Sequence, residues 1–477
     1  MTSFVGTTCR WHLRTCNVAL RATKRRASTT RTAAAANQTG GRQQGAVGPA
    51  EPAKGDVVDL QPPKGTRDFQ PGDMRVRNWL FDQFRQVALT FGFEEWDAPV
   101  LESEDLYTRK AGEEITQQLY CFEDKGGRRV SLRPELTPSL ARMVLARGKG
   151  LPLPAKWFAI GQCWRYERMT RGRRREHYQW NMDIFGVSGV EAEAELLAAI
   201  VAFFRRVGLS SAHVGLKVSS RKILEAVLET QGVPADAFGP VCIVVDKIDK
   251  LPRENIVAEL SNLGVEEAAI DSIFAALEIR SIDDLETLLG ADDPVAADLR
   301  RLFELARGYG IDDWLVLDTS VVRGLAYYTG LVFEGFDRAG KLRAICGGGR
   351  YDRLLSTFGG EDTPAVGFGF GDAVIVELLE EHNLLPSPPH HVQDVVVCLD
   401  EDLRTHACLA ASSLREAGRK VDLVLEAKKM KWVFKHCDRL EADRLIILGA
   451  KEWERGVLRV KDLREREESD VAIDDLV

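Results

Sequence analysis

At 477 residues the chain is long enough for two or three domains with substantial cores. Hydrophobic content of 45% and charged content of 29% are those of a soluble protein, and no apolar run approaches the ~18 residues of a spanning helix. Nine cysteines form no CxxC pair, so neither zinc nor a disulfide framework is signalled, and a formal charge of −8 excludes a global basic field for nucleic acid.

The first fifty residues carry eight Lys/Arg and no Asp/Glu, so the rest of the chain is more acidic than the total suggests. Residues 1–55 are rich in Arg, Ser, Thr and Ala and read as a disordered, cleaved mitochondrial or chloroplast transit peptide. A basic arm that touches RNA directly is the other reading. A secretory signal would need an apolar run of ~7–15 residues that is missing here.

From Asp68, Trp79, Leu80, Phe84, Val87 and Leu89 recur at helical spacing, and the helix is expected to stop near Phe91-Gly92-Phe93. Ala98–Leu101 reads as a strand. Segments 119–122 and 130–132 read as strands joined at Gly126-Gly127, with 157–160 and 182–185 as further strands of the same sheet. Residues 230–310 are Leu/Ala/Glu/Asp-rich and read as a helical insertion. Strand-like sequence resumes at Trp314–Leu317 and runs to Phe370, and a helix follows from Asp372. The breaker Leu384–Pro389 reads as a domain linker. Beyond it, strands 395–399, 421–425 and 445–449 alternate with helices 401–417 and 428–441, the pattern of a small α/β domain with a mainly parallel sheet.

Several blocks carry chemistry. In Arg133-Pro134-Glu135-Leu136-Thr137-Pro138, a carboxylate and a hydroxyl two residues apart can face one ligand, and Glu135 can hold an ammonium group. A plain N-cap by Thr137 competes with that reading. In Trp164-Arg165-Tyr166-Glu167, an arginine at a strand end can grip a triphosphate bidentately, and Glu167 can accept an adenine amino group. The loop after it, with Arg171, Arg173, Arg174 and Arg175, is the best local candidate for RNA phosphates, against a merely solvated charge run. Gln179 and Asp183 are four residues apart, which on a strand places both on one face. In Arg323-Gly324-Leu325-Ala326-Tyr327-Tyr328, a fixed cation beside two aromatic hydroxyls suggests a small-molecule pocket, because a buried guanidinium needs a partner. Cys346–Asp352, with three glycines, allows close backbone approach, and Gly367, Gly369 and Gly371 before a helix allow close packing beneath a flat ring.

Strand, Arg-X-Glu, basic loop and strand resemble motif 2 of class II aminoacyl-tRNA synthetases. The Arg323–Tyr328 block resembles the histidine-specific peptide of the histidyl-tRNA synthetase family, Pro63–Asp68 with 91–102 resembles motif 1, and 364–372 resembles motif 3. The resemblance covers residues 60–477. It implies an α+β class II catalytic domain (56–385), an antiparallel sheet flanked by helices, with an α/β anticodon-binding domain at 390–477. It implies histidine–tRNA ligase activity: L-histidine and ATP, with Mg²⁺, give histidyl-adenylate, and the histidine then passes to tRNA(His) in organellar protein synthesis. Arg165 and Arg323 become the catalytic pair. Glu135, Thr137, Gln179, Asp183, Tyr327 and Tyr328 become the histidine-binding set, and Arg165, Glu167, Arg323, Gly369 and Gly371 the ATP-binding set. The loop arginines with Lys428, Lys429 and Trp432 become tRNA contacts. No protein metal ligand is indicated, a homodimer is implied, no membrane is involved, and the site of action is the mitochondrion, the chloroplast or both.

Two departures stand out. Ala326 replaces a carboxylate common in the family, and Val374 occupies the place of an arginine that grips the ATP γ-phosphate. They leave open a silent, synthetase-like regulatory subunit, such as the partner of ATP phosphoribosyltransferase, or an RNA-binding regulator. Intact Arg165, Glu167, Arg323 and both tyrosines oppose both.

Overall fold

A computed structural model describes residues 59–108, 113–248, 251–290, 292–322 and 327–476. The predicted transit segment 1–55, Arg323 and Ala326 lie outside the described residues.

The scaffold is an eight-stranded sheet in the order Glu94–Glu95, Ala155–Trp164, Glu176–Phe185, Ala365–Gly371, Cys346–Arg350, Leu331–Asp337, Val214–Ser220, Leu315–Leu317. Its interior pairs are antiparallel, as anticipated, while both edge pairs are parallel. Strand alternation divides its chemistry. Trp180, Met182 and Ile184 join the core beneath the helices Pro71–Thr90 and Glu191–Arg206, where Phe84 stacks on Trp180 at 4.7 Å. Phe185 belongs to a second core, with Leu136, Leu140, Tyr328 and Tyr351, on the other face. Gln179, Asn181 and Asp183 alternate with the first set and face that side too.

The hairpin Tyr120–Glu123/Arg129–Leu132 forms where expected, its turn tied by the Asp124 carboxylate, which accepts from the Gly126 and Arg128 amides at 2.8 and 3.0 Å. It does not extend the main sheet. It forms a separate three-stranded sheet with Leu101–Ser103. The predicted strand at 98–101 contributes only Leu101, because the buried Arg133 claims the segment's carbonyls: its amide donates to Val100 and its Nη1 to Ala98, at 2.9 and 2.7 Å. Proline 99 could not donate to a ladder in any case.

Among the described residues, the segment predicted as a helical insertion is built of helices, from Phe238–Val245 to Pro294–Tyr309. Its helices to Leu277 share a small core (Val241, Ile256, Leu260, Ile270, Ile273) with Leu224 and Val227 of the preceding helix, Arg221–Thr230, whereas Leu299 and Leu302 pack into the core of the main sheet. A second, five-stranded sheet runs Val421–Leu423, Asp394–Cys398, Arg444–Leu448, Val457–Asp462, Glu468–Ala472. Its first three strands are parallel, as alternation with helices requires, and its last two form an antiparallel hairpin that the sequence reading did not include. That hairpin is charge-rich, and cross-strand pairs such as Lys461–Glu468 (2.7 Å) replace the apolar signal. No helix among the described residues is long and apolar enough to cross a membrane.

Candidate active site

Two buried carboxylates, each facing a tyrosine hydroxyl, define one half of the site. Glu135 follows the strand Arg129–Leu132 and is fixed by its neighbour Arg133, whose Nε donates to the Gln162 carbonyl at 2.9 Å. The Tyr327 hydroxyl donates to Glu135 Oε2 at 2.8 Å, and the Tyr351 hydroxyl donates to Asp183 Oδ1 at 2.5 Å. The two rings meet edge to face with centroids 5.9 Å apart, and Tyr328 lies 5.0 Å from Tyr327. Asp183 Oδ2 is buried with no hydrogen-bond partner among the described residues. An unpaired buried carboxylate oxygen is costly unless a ligand donates to it.

Burial pushes the Asp183 carboxyl up to about 7. The Tyr351 hydrogen bond pulls it back, and the charge of Glu135 adds to the rise. The same burial holds the Tyr327 and Tyr351 hydroxyls well above their ordinary range, so both remain donors. Glycines make the room: a Cβ on Gly367 would fall 1.9 Å from Asp183 Oδ1, and one on Gly348 would fall 2.3 Å from the Gly367 carbonyl. Gln179 lies two strand positions from Asn181, with its Oε1 3.6 Å from the Cys163 thiol. Burial raises that thiol to about 12, which makes it inert packing. Thr137 is buried as the first residue of the helix Thr137–Arg147. Leu136 holds the cap position and Pro138 follows inside the first turn, so the Thr137 hydroxyl is not spent as an N-cap.

The second half is a ring of guanidiniums. Arg165 Nε donates to the Pro134 carbonyl at 2.9 Å, joining this half to the Glu135 segment. Glu167 is paired with Arg173. Arg67, from the motif-1 stretch, bridges the buried Glu176 and Asp372 at 3.2 and 3.0 Å, and Asp372 also accepts from the Tyr178 amide at 2.9 Å. His177 lies on the strand Glu176–Phe185, next to Glu176 and opposite Cys163. Burial lowers it to about 3, and next the cations Arg165, Arg67, Arg343 and Arg173 lower it, so it is neutral at working pH. Above Gly371 the space is open, and a Cβ on Gly369 would make only ordinary contacts, with the Asn181 amide at 3.5 and 3.9 Å and Gln179 Cδ at 3.9 Å.

The basic loop is less available than its composition implies. Arg171 pairs with Glu377 and Glu381 at 2.6 and 2.5 Å, Arg173 with Glu167, and Arg175 lies over the Tyr166 ring at 3.9 Å, while Arg174 is exposed. Val374, where a cation was expected, is 6% exposed and faces Gly172 of that loop. On the helix Met430–Leu440 of the C-terminal domain Trp432 is 41% exposed and stacks on His436 at 4.7 Å. Lys428 lies 5.6 Å from the Trp432 ring, and Lys429 occupies the N-cap position of the helix without a side-chain capping bond. Sequence reasoning placed Arg67, Tyr351 and Asp372 inside quoted blocks without assigning them, and it missed His177 and Arg343.

An antiparallel sheet flanked by helices, with arginines at the ends of one strand pair and a separate α/β sheet later in the chain, is the architecture of a class II aminoacyl-tRNA synthetase. Residues 65–372 match the histidyl-tRNA synthetase family profile and residues 393–477 match that of the anticodon binding domain. The chain belongs to the histidyl-tRNA synthetase family. The chloroplastic/mitochondrial histidine–tRNA ligase of Arabidopsis thaliana is 59% identical over 444 residues, 93% of this chain and 91% of the relative. The histidine–tRNA ligase of Pyrococcus furiosus is 35% identical, covering 87% and 97%. A histidyl-tRNA synthetase from Nostoc sp. shares the fold at a TM-score of 0.71 and 24% identity, over 88% of this chain and 98% of that one. A Bacillus halodurans protein described as an ATP phosphoribosyltransferase regulatory subunit/histidyl-tRNA synthetase shares it at 0.68 and 22%, over 83% and 100%. Fold alone therefore does not separate enzyme from regulatory subunit.

Proposed function

We propose that the chain activates L-histidine with ATP and transfers it to tRNA(His) in organellar protein synthesis. The observation that carries this reading is the paired-carboxylate pocket opening beside a guanidinium cluster. Glu135, with Thr137 near it, suits the substrate ammonium. Asp183 and Gln179, backed by Tyr351, suit an imidazole N–H, with Tyr327 and Tyr328 closing the pocket. A carboxylate oxygen of histidine attacks the α-phosphorus as the bond to pyrophosphate breaks; the terminal tRNA hydroxyl then attacks the carbonyl and releases AMP. The first step concentrates negative charge, which fixed cations stabilise. Arg165 and Arg323 take that role, with Glu167 reading adenine over Gly369 and Gly371. Mg²⁺ would be held by the nucleotide's own phosphates, where it would help to neutralise their charge.

Residues 56–385 form the catalytic domain and 390–477 the anticodon-binding domain in this reading. Residues 1–55 are a transit peptide, in keeping with the Arabidopsis relative and with a basic composition that has no Asp or Glu in its first fifty residues. A homodimer is part of the proposal. The three-stranded sheet buries Glu102 and Ser131 on its inner face and leaves Leu101 and Phe122, 43% and 45% exposed, on its outer face beside Val130 and Leu132. An apolar outer face over a polar inner one suits a covered interface. Histidine-dependent ATP–pyrophosphate exchange followed by charging of an organellar tRNA(His) tests the activity. A regulatory subunit would show neither.

A further inference from the structure

Arg343 lies on the turn between the strands Leu331–Asp337 and Cys346–Arg350. A Cβ on Gly172 would stand 3.9 Å from Arg343 Cγ and Cδ and 3.1 Å from Val374 Cγ2, so both side chains flank the same loop glycine. Arg343 is therefore delivered to the place that Val374 leaves uncharged. Four guanidiniums act on His177, and two have carboxylate partners: Arg67 has Glu176 and Asp372, and Arg173 has Glu167. Arg165 donates to a neutral carbonyl, and Arg343 makes no ion pair or hydrogen bond among the described residues. Partial desolvation first, then Arg173 and Arg165, hold the guanidinium of the exposed Arg343 below its ordinary pKa, against the carboxylates of Glu167 and Glu334. Unpaired cations that crowd one another are stabilised by a multiply charged anion.

We propose that Arg343 is a phosphate-binding residue that grips the β,γ-phosphate end of MgATP, beyond the α-phosphate held at Arg165. The inference rests on the proposed activity for its ligand. The test compares wild type, Arg343→Ala, Arg343→Lys and, as a control on the same turn, Arg338→Ala, which lies over Phe336 and donates to the Asp313 carbonyl. Two readouts are taken: KM for ATP and for histidine in pyrophosphate exchange, and direct calorimetric binding of MgATP and of pyrophosphate. Arg343→Ala is expected to raise the KM for ATP and weaken pyrophosphate binding by about tenfold or more. The KM for histidine stays within twofold, Arg343→Lys recovers part of the loss, and Arg338→Ala matches wild type. ATP and pyrophosphate affinities within twofold of wild type in Arg343→Ala would overturn the inference, including the case where only tRNA charging falls. If wild type shows no exchange, the proposed activity fails, and MgATP calorimetry alone decides the role of Arg343.

Discussion

The Tyr351 hydroxyl donates to Asp183 Oδ1 at 2.5 Å while Oδ2 of the same carboxylate stays unpaired among the described residues. Half of the carboxylate is thus held rigidly and half is offered to a ligand. Burial raises Asp183 to about 7, so near neutrality the group is poised between its two forms. A ligand that donates an N–H favours the ionised form. The KM for histidine should therefore fall about tenfold from pH 6 to pH 8, as the ionised fraction rises. Asp183→Asn should flatten that slope, and Tyr351→Phe should move its midpoint upward by removing the hydrogen bond that lowers it. Steady-state exchange kinetics across that range check both, and an unchanged slope in Asp183→Asn would refute the assignment.

Stability should run the other way. The folded-state value of about 7 lies above an unfolded carboxyl near ~3.9, so the folded protein binds the extra proton between them. Stability contributed at this site is present below about pH 4 and is lost as pH rises towards 7. Asp183→Asn, which cannot ionise, should melt at or above the wild-type temperature at pH 8 while binding histidine worse. A lower Tm at pH 8 would count against a buried, strained carboxylate.

Glycines under the site differ sharply. Gly367→Ala places a methyl 1.9 Å from Asp183 Oδ1 and 3.0 Å from the Met182 carbonyl, so it should cost about 2 kcal/mol of stability and most of the activity. Gly371→Ala meets open space at an ordinary φ of −83° and should leave stability within ~0.5 kcal/mol. If adenine packs there, its KM for ATP alone rises. Denaturant melts with exchange kinetics separate the two.

Arg67 neutralises two buried carboxylates that belong to different segments. Arg67→Ala leaves Glu176 and Asp372 uncompensated and should cost about 3 kcal/mol. Burial already raises Asp372, so lowering the pH to protonate it should recover part of that loss. A urea titration at pH 5 and pH 8 reads it.

Much of this site was legible because a few residue types have few structural uses. Gln179 and Asp183 share a face by strand periodicity, and Glu135 meets Tyr327 across a sequence separation of 192 residues that the motif order anticipated. What escaped was pairing that only folding decides. The loop arginines read from composition as an open phosphate patch, but Glu377 and Glu381, on the helix Asp372–Glu381, claim Arg171. Thr137-Pro138 signalled a helix start correctly, yet Leu136 holds the cap position. The last hairpin was hidden because its strands are stabilised by cross-strand charge and not by apolar alternation.

Trp432 is a large aromatic left exposed beside Lys428. If it stacks a splayed base, Trp432→Ala should lower kcat/KM for tRNA charging about tenfold and leave pyrophosphate exchange within twofold. Equal losses in both assays would place its effect on folding and not on RNA.

If the paired-carboxylate pocket and the arginine cluster together activate histidine, the purified chain lacking residues 1–55 exchanges labelled pyrophosphate into ATP only when histidine is present. Neutralising Glu135 or Asp183 then abolishes the exchange or raises the KM for histidine alone. Exchange absent with histidine, or supported equally by other amino acids, would refute that role.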